Sequence, residues 1–204
     1  MIQANDIILL MRSRLGDADA KKWSDEELID YINSSLADIS KELEPFTHQE
    51  YILLKEKENR YRLPHNTLRV LSVNIDDKPI TIKSYEWLIQ NKKNINDICV
   101  AFDEQSFFLY PIEKISAGKK VEINYKFIEQ IEKKQDFIKI STLAKKAILY
   151  HSLHLAYQAI NIVDKNVGKT TQFLNLYDKE LSTLRITYFK NKHSKKIKTK
   201  FRSF

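Results

Sequence analysis

The sequence predicts an α+β fold: a helical bundle formed by the N- and C-terminal helices, an inserted β-rich subdomain (a small sheet or barrel), and a disordered basic C-terminal tail. Three observations lead to this prediction. Apolar residues recur every three or four positions in the first and last thirds of the 204 residues, which is typical of helices. In the middle they alternate with polar residues, which is typical of half-buried strands. From Lys190 onward the chain is basic and contains no acid.

The first third of the chain predicts two helices, the first of which ends near Gly16. Ser24 begins the second, because Ser24 and Glu27 have the spacing of a capping box, in which each side chain satisfies a free backbone N–H at the helix start. Pro45 ends it, since the residue before a proline avoids helical angles. The apolar stripe of this helix comprises Leu28, Ile32, Leu36, Ile39 and Leu43.

The middle of the chain predicts short strands separated by turn residues. The turn at Asp76 to Pro79 is expected to be followed by a return strand at 80–82, so that the two sides form a hairpin. A second hairpin is expected across Asp103 to Gln105, and Ser84 is the predicted cap of a brief helix between the hairpins. The predicted strands are 51–54, 61–63, 68–75, 80–82, 98–102, 106–110 and 121–127.

The last third predicts two more helices. Ser141 or Thr142 caps an apolar helix that runs to about Val163. Gly168 is expected to terminate that helix as its C-cap, and a final amphipathic helix is expected to run to about Phe189. The predicted segments are the N-terminal bundle helices at 1–46, the β subdomain at 47–128, the C-terminal bundle helices at 129–189 and a basic arm at 190–204.

Composition excludes several classes of protein. Three glycines are too few for collagen or for most glycine-dependent phosphate loops, and the single cysteine excludes a disulfide framework or a multi-thiolate zinc site. The apolar run from Ile7 to Met11 is too short to span a bilayer, so we expect no membrane segment.

We identify no catalytic, cofactor-binding or metal-binding constellation in the sequence. The run from Val167 to Thr170 lacks the earlier glycine of a phosphate loop, since Val163 stands at that position. His151 and His154 are one helical turn apart, but zinc needs three or four ligands. Neighbouring carboxylates at 76–77 and 103–104 fall in predicted turns. Cys99 is expected to be a small buried side chain. We therefore expect that the protein is not an enzyme and uses no cofactor.

The charge is concentrated at the C-terminus. The chain has 34 Lys and Arg residues, of which seven follow position 189, so the preceding residues hold 27 bases against 27 acids. A neutral body therefore carries a cationic arm, whose charges would suit nucleic acid or an acidic protein surface. The candidate binding residues are Lys190, Lys192, Lys195, Lys196, Lys198, Lys200 and Arg202, with Phe201 and Phe204 as apolar anchors.

Particular residues stand in a recognisable order along the chain. Trp23-Ser24-Asp25 leads into the second helix, Tyr61-Arg62-Leu63-Pro64 opens the β region, and Val121 to Tyr125 closes it. The late apolar helix carries Ala144, Tyr150, Leu153, Ala156 and Tyr157. This succession resembles the head-to-tail adaptor (connector) proteins of tailed bacteriophages. One departure is that the proline usual after the closing strand is replaced by Phe127-Ile128.

The resemblance implies a structural virion protein made in the host cytoplasm and located at the head–tail junction. Adaptors of this family form a ring, usually of twelve copies, beneath the portal protein. They extend the DNA channel, through which the genome passes without specific binding, and they dock tail components such as a nozzle or stopper protein. The C-terminal segment reaches onto the portal in relatives, so residues 190–204 would be the docking arm.

Two alternatives use the same sequence features differently. A nucleic-acid-binding accessory protein would use the basic arm to contact phosphates, and its affinity would then fall steeply with salt. An enzyme with a site in the β region would need a spatial cluster of polar residues that linear order does not reveal.

Overall fold

The computed structural model describes residues 1–91, 95–164 and 167–194, and it has a mixed α+β fold. The chain divides into two compact units. We call residues 1–45 together with 129–204 the helical unit, and residues 46–128 the β unit. Over the described ranges, no helix has the length and apolar character needed to cross a bilayer.

The elements are numbered in chain order. The described helices are α1 (Ala4–Leu15), α2 (Asp25–Leu43), α3 (Tyr85–Asn91), α4 (Lys145–Asp164) and α5 (Val167–Ser194). The described strands are β1 (Ile2–Gln3), β2 (Thr47–Leu53), β3 (Arg60–Arg62), β4 (Thr67–Ile75), β5 (Lys78–Pro79), β6 (Thr81–Lys83), β7 (Cys99–Phe102), β8 (Ser106–Tyr110), β9 (Lys120–Phe127) and β10 (Phe137–Ile138).

Local sequence sets the ends of the first two helices. Gly16 terminates α1 at φ 67°, a left-handed conformation that glycine adopts without a steric penalty. The predicted capping box of α2 is confirmed: the Glu27 N–H donates to Ser24 Oγ (3.1 Å) and the Ser24 N–H donates to Glu27 Oε2 (2.8 Å). The helix ends before Pro45, as predicted. All five residues of its predicted apolar stripe are buried.

A buried ion pair connects α1 to α2. Arg12, whose exposed fraction is 6%, donates to Asp17 Oδ2 (2.9 Å), to the Trp23 carbonyl (2.9 Å) and to Asp25 Oδ1 (2.7 Å). Asp17 also accepts the backbone N–H groups of residues 21, 22 and 23. Burial alone would raise the pKa of Asp17, but these donors and the Arg12 charge hold it below its usual value. The loop between the helices is therefore organised around one carboxylate.

Hydrogen bonds between distant residues hold the helical unit together. Ser35 on α2 and Ser152 on α4 are both fully buried, and their hydroxyl oxygens lie 2.9 Å apart. The Asn33 side chain both donates to the Ile131 carbonyl and accepts from the Ile131 N–H, each at 2.9 Å. The two-stranded sheet of β1 and β10 pairs the start of the chain with the segment that precedes α4. The first and last parts of the chain thus share one core.

The β unit contains two four-stranded sheets, with strand orders β2-β9-β4-β5 and β3-β8-β7-β6. The alternation predicted for β9 is largely confirmed: of its four apolar positions, Val121, Ile123 and Tyr125 are buried and Phe127 is half-buried. The predicted hairpin across Asp103 to Gln105 is also confirmed, because β7 and β8 pair antiparallel on either side of it. The core of the unit consists of Leu54, Tyr61, Val73, Ile75, Val100, Phe107, Leu109, Ile115, Val121, Ile123 and Tyr125.

The predicted return strand at 80–82 is only partly right. The turn consists of Asp76 and Asp77 alone, both at positive φ, and β5 forms the return strand beside β4. Such two-residue turns match the twist of the flanking strands. After Ile80 the chain leaves the first sheet, and β6 pairs parallel with β7 in the second. Residues 78–83 therefore contribute one short strand to each of the two sheets.

Two predictions about the last helices are wrong. Gly168 is not a C-cap, because it lies in the first turn of α5. The final helix does not end near Phe189 but continues to Ser194, so residues 190–194 of the predicted disordered arm are helical. Helix-compatible residues such as Lys190 and Lys192 allow this continuation, since neither glycine nor proline interrupts it.

We predict that Leu36→Ala lowers the free energy of unfolding by about 2 to 5 kcal/mol, because it removes a fully buried side chain from α2 and leaves a cavity. Urea unfolding followed by circular dichroism measures this change. Leu9→Ala is the matched control, since Leu9 on α1 is 58% exposed and its loss should cost about 0.5 kcal/mol or less. Equal losses for the two variants would contradict the assigned core.

Candidate partner-binding site

The predicted arm begins on the last turns of α5. Lys190 is exposed there and Lys192 belongs to the same helix. The other candidate residues lie outside the described residues: Lys195, Lys196, Lys198, Lys200, Phe201, Arg202 and Phe204. Helix α5 therefore includes the first five residues of the predicted arm, 190–194.

Helix α5 packs mainly against α4, and hydrogen bonds also join it to the end of α2. Phe173, Leu181 and Leu184 are buried. The Tyr177 hydroxyl donates to Asp38, and the Tyr188 hydroxyl donates to the Glu44 carbonyl at 3.2 Å. Burial, and then the Asp38 carboxylate, raise the pKa of Tyr177, so this phenol stays protonated and acts as a donor. An exposed ion pair joins Arg185 to Glu42.

An apolar cavity of about 220 Å³ lies beside this part of α5. It is bounded by the end of α2, the 3-10 turn before α4, and α5. Its lining residues are Leu43, Pro45, Lys139, Ile140, Ser141, Leu143, Ala144, Leu184, Thr187 and Tyr188. The ionisable side chains in this lining are Lys139 and Tyr188, and the Tyr188 hydroxyl already donates to the Glu44 carbonyl. The cavity therefore offers mainly apolar contact surface.

The two candidate histidines lie in the helical unit and have separate hydrogen bonds. His151 Nδ1 lies 3.2 Å from Ser35 Oγ, and its ring stacks on Tyr177 with a centroid separation of 4.4 Å. His154 Nδ1 donates to the Thr170 carbonyl at 3.0 Å. Burial lowers the pKa of His151. Both rings therefore serve contacts between α4 and its neighbours.

The other residues considered in the sequence lie in turns or in the core of the β unit. The Asp103 carboxylate accepts the N–H groups of Gln105 (2.9 Å) and Ser106 (2.6 Å) and pairs with Arg60; the N–H of Gln105 is the largest of the influences that lower its pKa. Asp76 and Asp77 are exposed in their turn. Cys99 is buried, as expected, and burial raises the pKa of its thiol. No group of three or more potential metal ligands occurs within the described ranges.

Sequence reasoning missed the exposed edge of the first sheet. β2 was expected from 51 to 54, but the strand begins at Thr47 and its outward face carries Tyr51 and Leu53, which are 48% and 67% exposed. The Lys120 ammonium lies 3.5 Å from the centre of the Tyr51 ring. Residues 48–50, His-Gln-Glu, have low strand propensity, so the sequence contained little signal for this part of the strand.

Comparison with known proteins does not assign this chain to a family. Neither the models of known protein families nor the curated protein sequences give a match to this chain.

We predict that the helical unit loses stability as the pH falls. Because the folded pKa of His151 lies below its ordinary value of 6.5, the unfolded state takes up a proton first. Stability is therefore full above about pH 6.5 and declines as the pH falls from there through the lowered pKa. His151→Gln should flatten the decline in thermal midpoint between pH 7 and pH 5.

Differential scanning fluorimetry at several pH values measures this effect. His65→Gln is the matched control, since His65 is exposed and its replacement should leave the slope unchanged. If His151→Gln and the wild type show parallel pH profiles, burial of the neutral imidazole is not the cause of the decline.

Proposed function

We propose that this protein is a head-to-tail adaptor of a tailed phage or prophage. It would assemble as a ring beneath the portal protein, extend the DNA channel and offer a surface to tail components. The observation that carries the proposal is the arrangement of the C-terminus. A long helix, packed against α4 and hydrogen-bonded to α2, extends to Ser194 and leads into ten further residues that hold five Lys and Arg side chains.

The organisation of the chain supports this proposal. The helical unit contains the two ends of the chain and the β unit is a continuous insertion, in the order that the resemblance implies. Exposed apolar residues on α5, Ile186 and Phe189, provide surface for contact with another protein near the arm. Outside the arm, bases and acids balance, and a wall without excess positive charge does not retain DNA through phosphate contacts.

In this proposal the arm binds the portal, and this role is separate from the fold of the rest of the chain. Lys195, Lys196 and the later bases would contact acidic groups on the portal, while Phe201 and Phe204 would anchor the arm in apolar pockets. In this proposal the arm would become ordered on the portal, so that assembly and ordering of the arm would be coupled. The protein would act without catalysis and without a cofactor.

We predict that the full chain binds the portal protein from the same genome, with one copy per portal subunit. Mass photometry of the mixture should show a discrete increase in the mass of the portal ring. A chain that ends at Ser194 should keep its circular dichroism spectrum and lose this increase. This cut is preferable to one at residue 190, because residues 190–194 belong to α5.

Two further variants separate charge from anchoring. Phe201→Ser combined with Phe204→Ser keeps every positive charge, whereas Gln at Lys195, Lys196, Lys198 and Lys200 keeps both rings. Weaker binding of both variants is expected. Undiminished binding of the chain that ends at Ser194 would refute the arm assignment, and absence of any mass increase for the full chain would refute the adaptor proposal.

A nucleic-acid-binding accessory protein is the second candidate, favoured by the same concentration of charge in 190–204. It predicts that the logarithm of the affinity for duplex DNA falls with the logarithm of the salt concentration with a slope of about −5 to −6, if most of the seven charges contact phosphates. Fluorescence anisotropy at several salt concentrations measures the slope. Undetectable binding at low salt would eliminate this candidate.

A further inference from the structure

Strand β2 forms an open edge of the first sheet. Among the described strands it pairs with β9 alone, over seven residues from Thr47↔Lys126 to Leu53↔Lys120. An edge strand of this length exposes a row of backbone donors and acceptors to any extended segment. Natural proteins usually protect such edges with lysine or proline, but β2 contains neither.

The register identifies which backbone groups face outward. The Leu54 N–H donates to the Lys119 carbonyl at 2.9 Å, directly beyond the end of the ladder. In an antiparallel ladder every second residue bonds to a given neighbour, so the even-numbered residues of β2 bond to β9. The backbone groups of the other four residues therefore point away from the sheet: Thr47, Gln49, Tyr51 and Leu53.

The two faces beside this edge carry different side chains. Tyr51 and Leu53 share one face with Lys120, over the Tyr51 ring, with Glu122, the register partner of Tyr51, and with Lys126, whose ammonium donates to Thr47 Oγ1 at 2.8 Å. This face therefore combines exposed apolar side chains with charges of both signs. The opposite face of β2 carries Glu50, whose carboxylate accepts from the Tyr125 hydroxyl at 3.2 Å. An added strand with its apolar side beside Tyr51 and Leu53 would thus place its basic side near Glu50.

The C-terminal segment has this pattern. From Lys196 to Arg202 the sequence alternates strictly between basic residues and Ile197, Thr199 and Phe201. Period-two alternation with β-branched and aromatic residues is typical of an amphipathic strand. The segment has seven residues, as has β2. It lies outside the described residues, and its pattern is a property of the sequence alone.

We propose that residues 196–202 of one copy add to the β2 edge of a second copy as an antiparallel strand. Ile197, Thr199 and Phe201 would lie beside Tyr51 and Leu53, and the four basic side chains would lie on the side of Glu50. Main-chain hydrogen bonds would supply the affinity, as in other cases of strand addition, and the alternation would supply the specificity.

This contact joins two different surfaces, the arm of one copy and the edge of the next. Such heterologous contacts generate a ring when the rotation between copies closes. The inference goes beyond the proposed function, because it names a second copy as the partner of residues 196–202 where that function names the portal; only the ring interpretation rests on the proposed function. The pairing itself requires no portal protein and can be tested without one.

Paramagnetic relaxation enhancement in the full chain provides the test. A nitroxide is attached to Ser203→Cys, and the labelled chain is mixed with ¹⁵N-labelled wild-type chain at high concentration. Cys99 is buried and its thiol pKa is raised, so labelling at the new cysteine is selective. The expected result is selective loss of amide signal along β2, strongest near Thr47, because an antiparallel arm places residue 203 beside the start of the strand.

Matched variants test the role of the backbone. Gln49→Pro and Gln49→Ala both remove the side chain, but only the proline removes an outward N–H, so only the proline should restore the signal. Proline is tolerated at such positions of edge strands. Thr199→Pro and Thr199→Ala make the same comparison on the arm, and again only the proline should restore the signal. This second pair leaves β2 unchanged, so its result does not depend on whether β2 tolerates proline.

Several outcomes would overturn the inference. These are no signal loss in the mixture, loss confined to the helical unit, and loss along β2 only when the nitroxide and the isotope are in the same molecule, which would indicate pairing within one chain. Because relaxation enhancement detects sparsely populated complexes, weak association would still register. Strand pairing without a portal mass increase would refute the adaptor proposal alone, and the reverse result would refute this inference alone.

Discussion

The helical unit depends on the pairing of Arg12 with Asp17. An arginine buried at the end of α1 requires counter-charges and acceptors, and the loop before α2 supplies both. Removing Arg12 would leave the Asp17 carboxylate without its counter-charge inside the protein, which is far more costly than losing an exposed ion pair. Because the same carboxylate gathers three backbone N–H groups, it fixes the chain just before the capping box of α2. The direction of α2, and hence the surface that it offers to α4 and α5, follows from this arrangement.

Features determined by neighbouring residues were predictable from the sequence. The Ser24–Glu27 capping box, the buried stripe of α2 and the hairpin across Asp103 to Gln105 each depend on residues within a few positions or on one periodicity. The inward alternation of β9 belongs to the same class. In these cases local propensity and tertiary burial favour the same conformation, so the sequence pattern is sufficient.

Features determined by distant partners were not predictable in the same way. Nothing in the sequence indicates that Asn33 would bond to the backbone of Ile131, or that the chain after Ile80 would pair with β7 in another sheet. Gly168 was a reasonable helix terminator, but it lies in a helix whose partner is α4. For the candidate site, the positive charge of the arm was evident, whereas the length of α5 and the open edge of β2 depend on packing and sheet order.

The division of the chain into a continuous β unit and a helical unit assembled from both ends has a consequence for synthesis. Ser35 pairs with Ser152 across 117 positions, so the apolar stripe of α2 leaves the ribosome long before its partner helix exists. All of the strands in residues 46–128 are translated in that interval. The β unit can therefore complete its own contacts first, while α2 remains an amphipathic helix without a core. The nascent chain thus exposes α2 to chaperones until the β unit and then α4 have been translated.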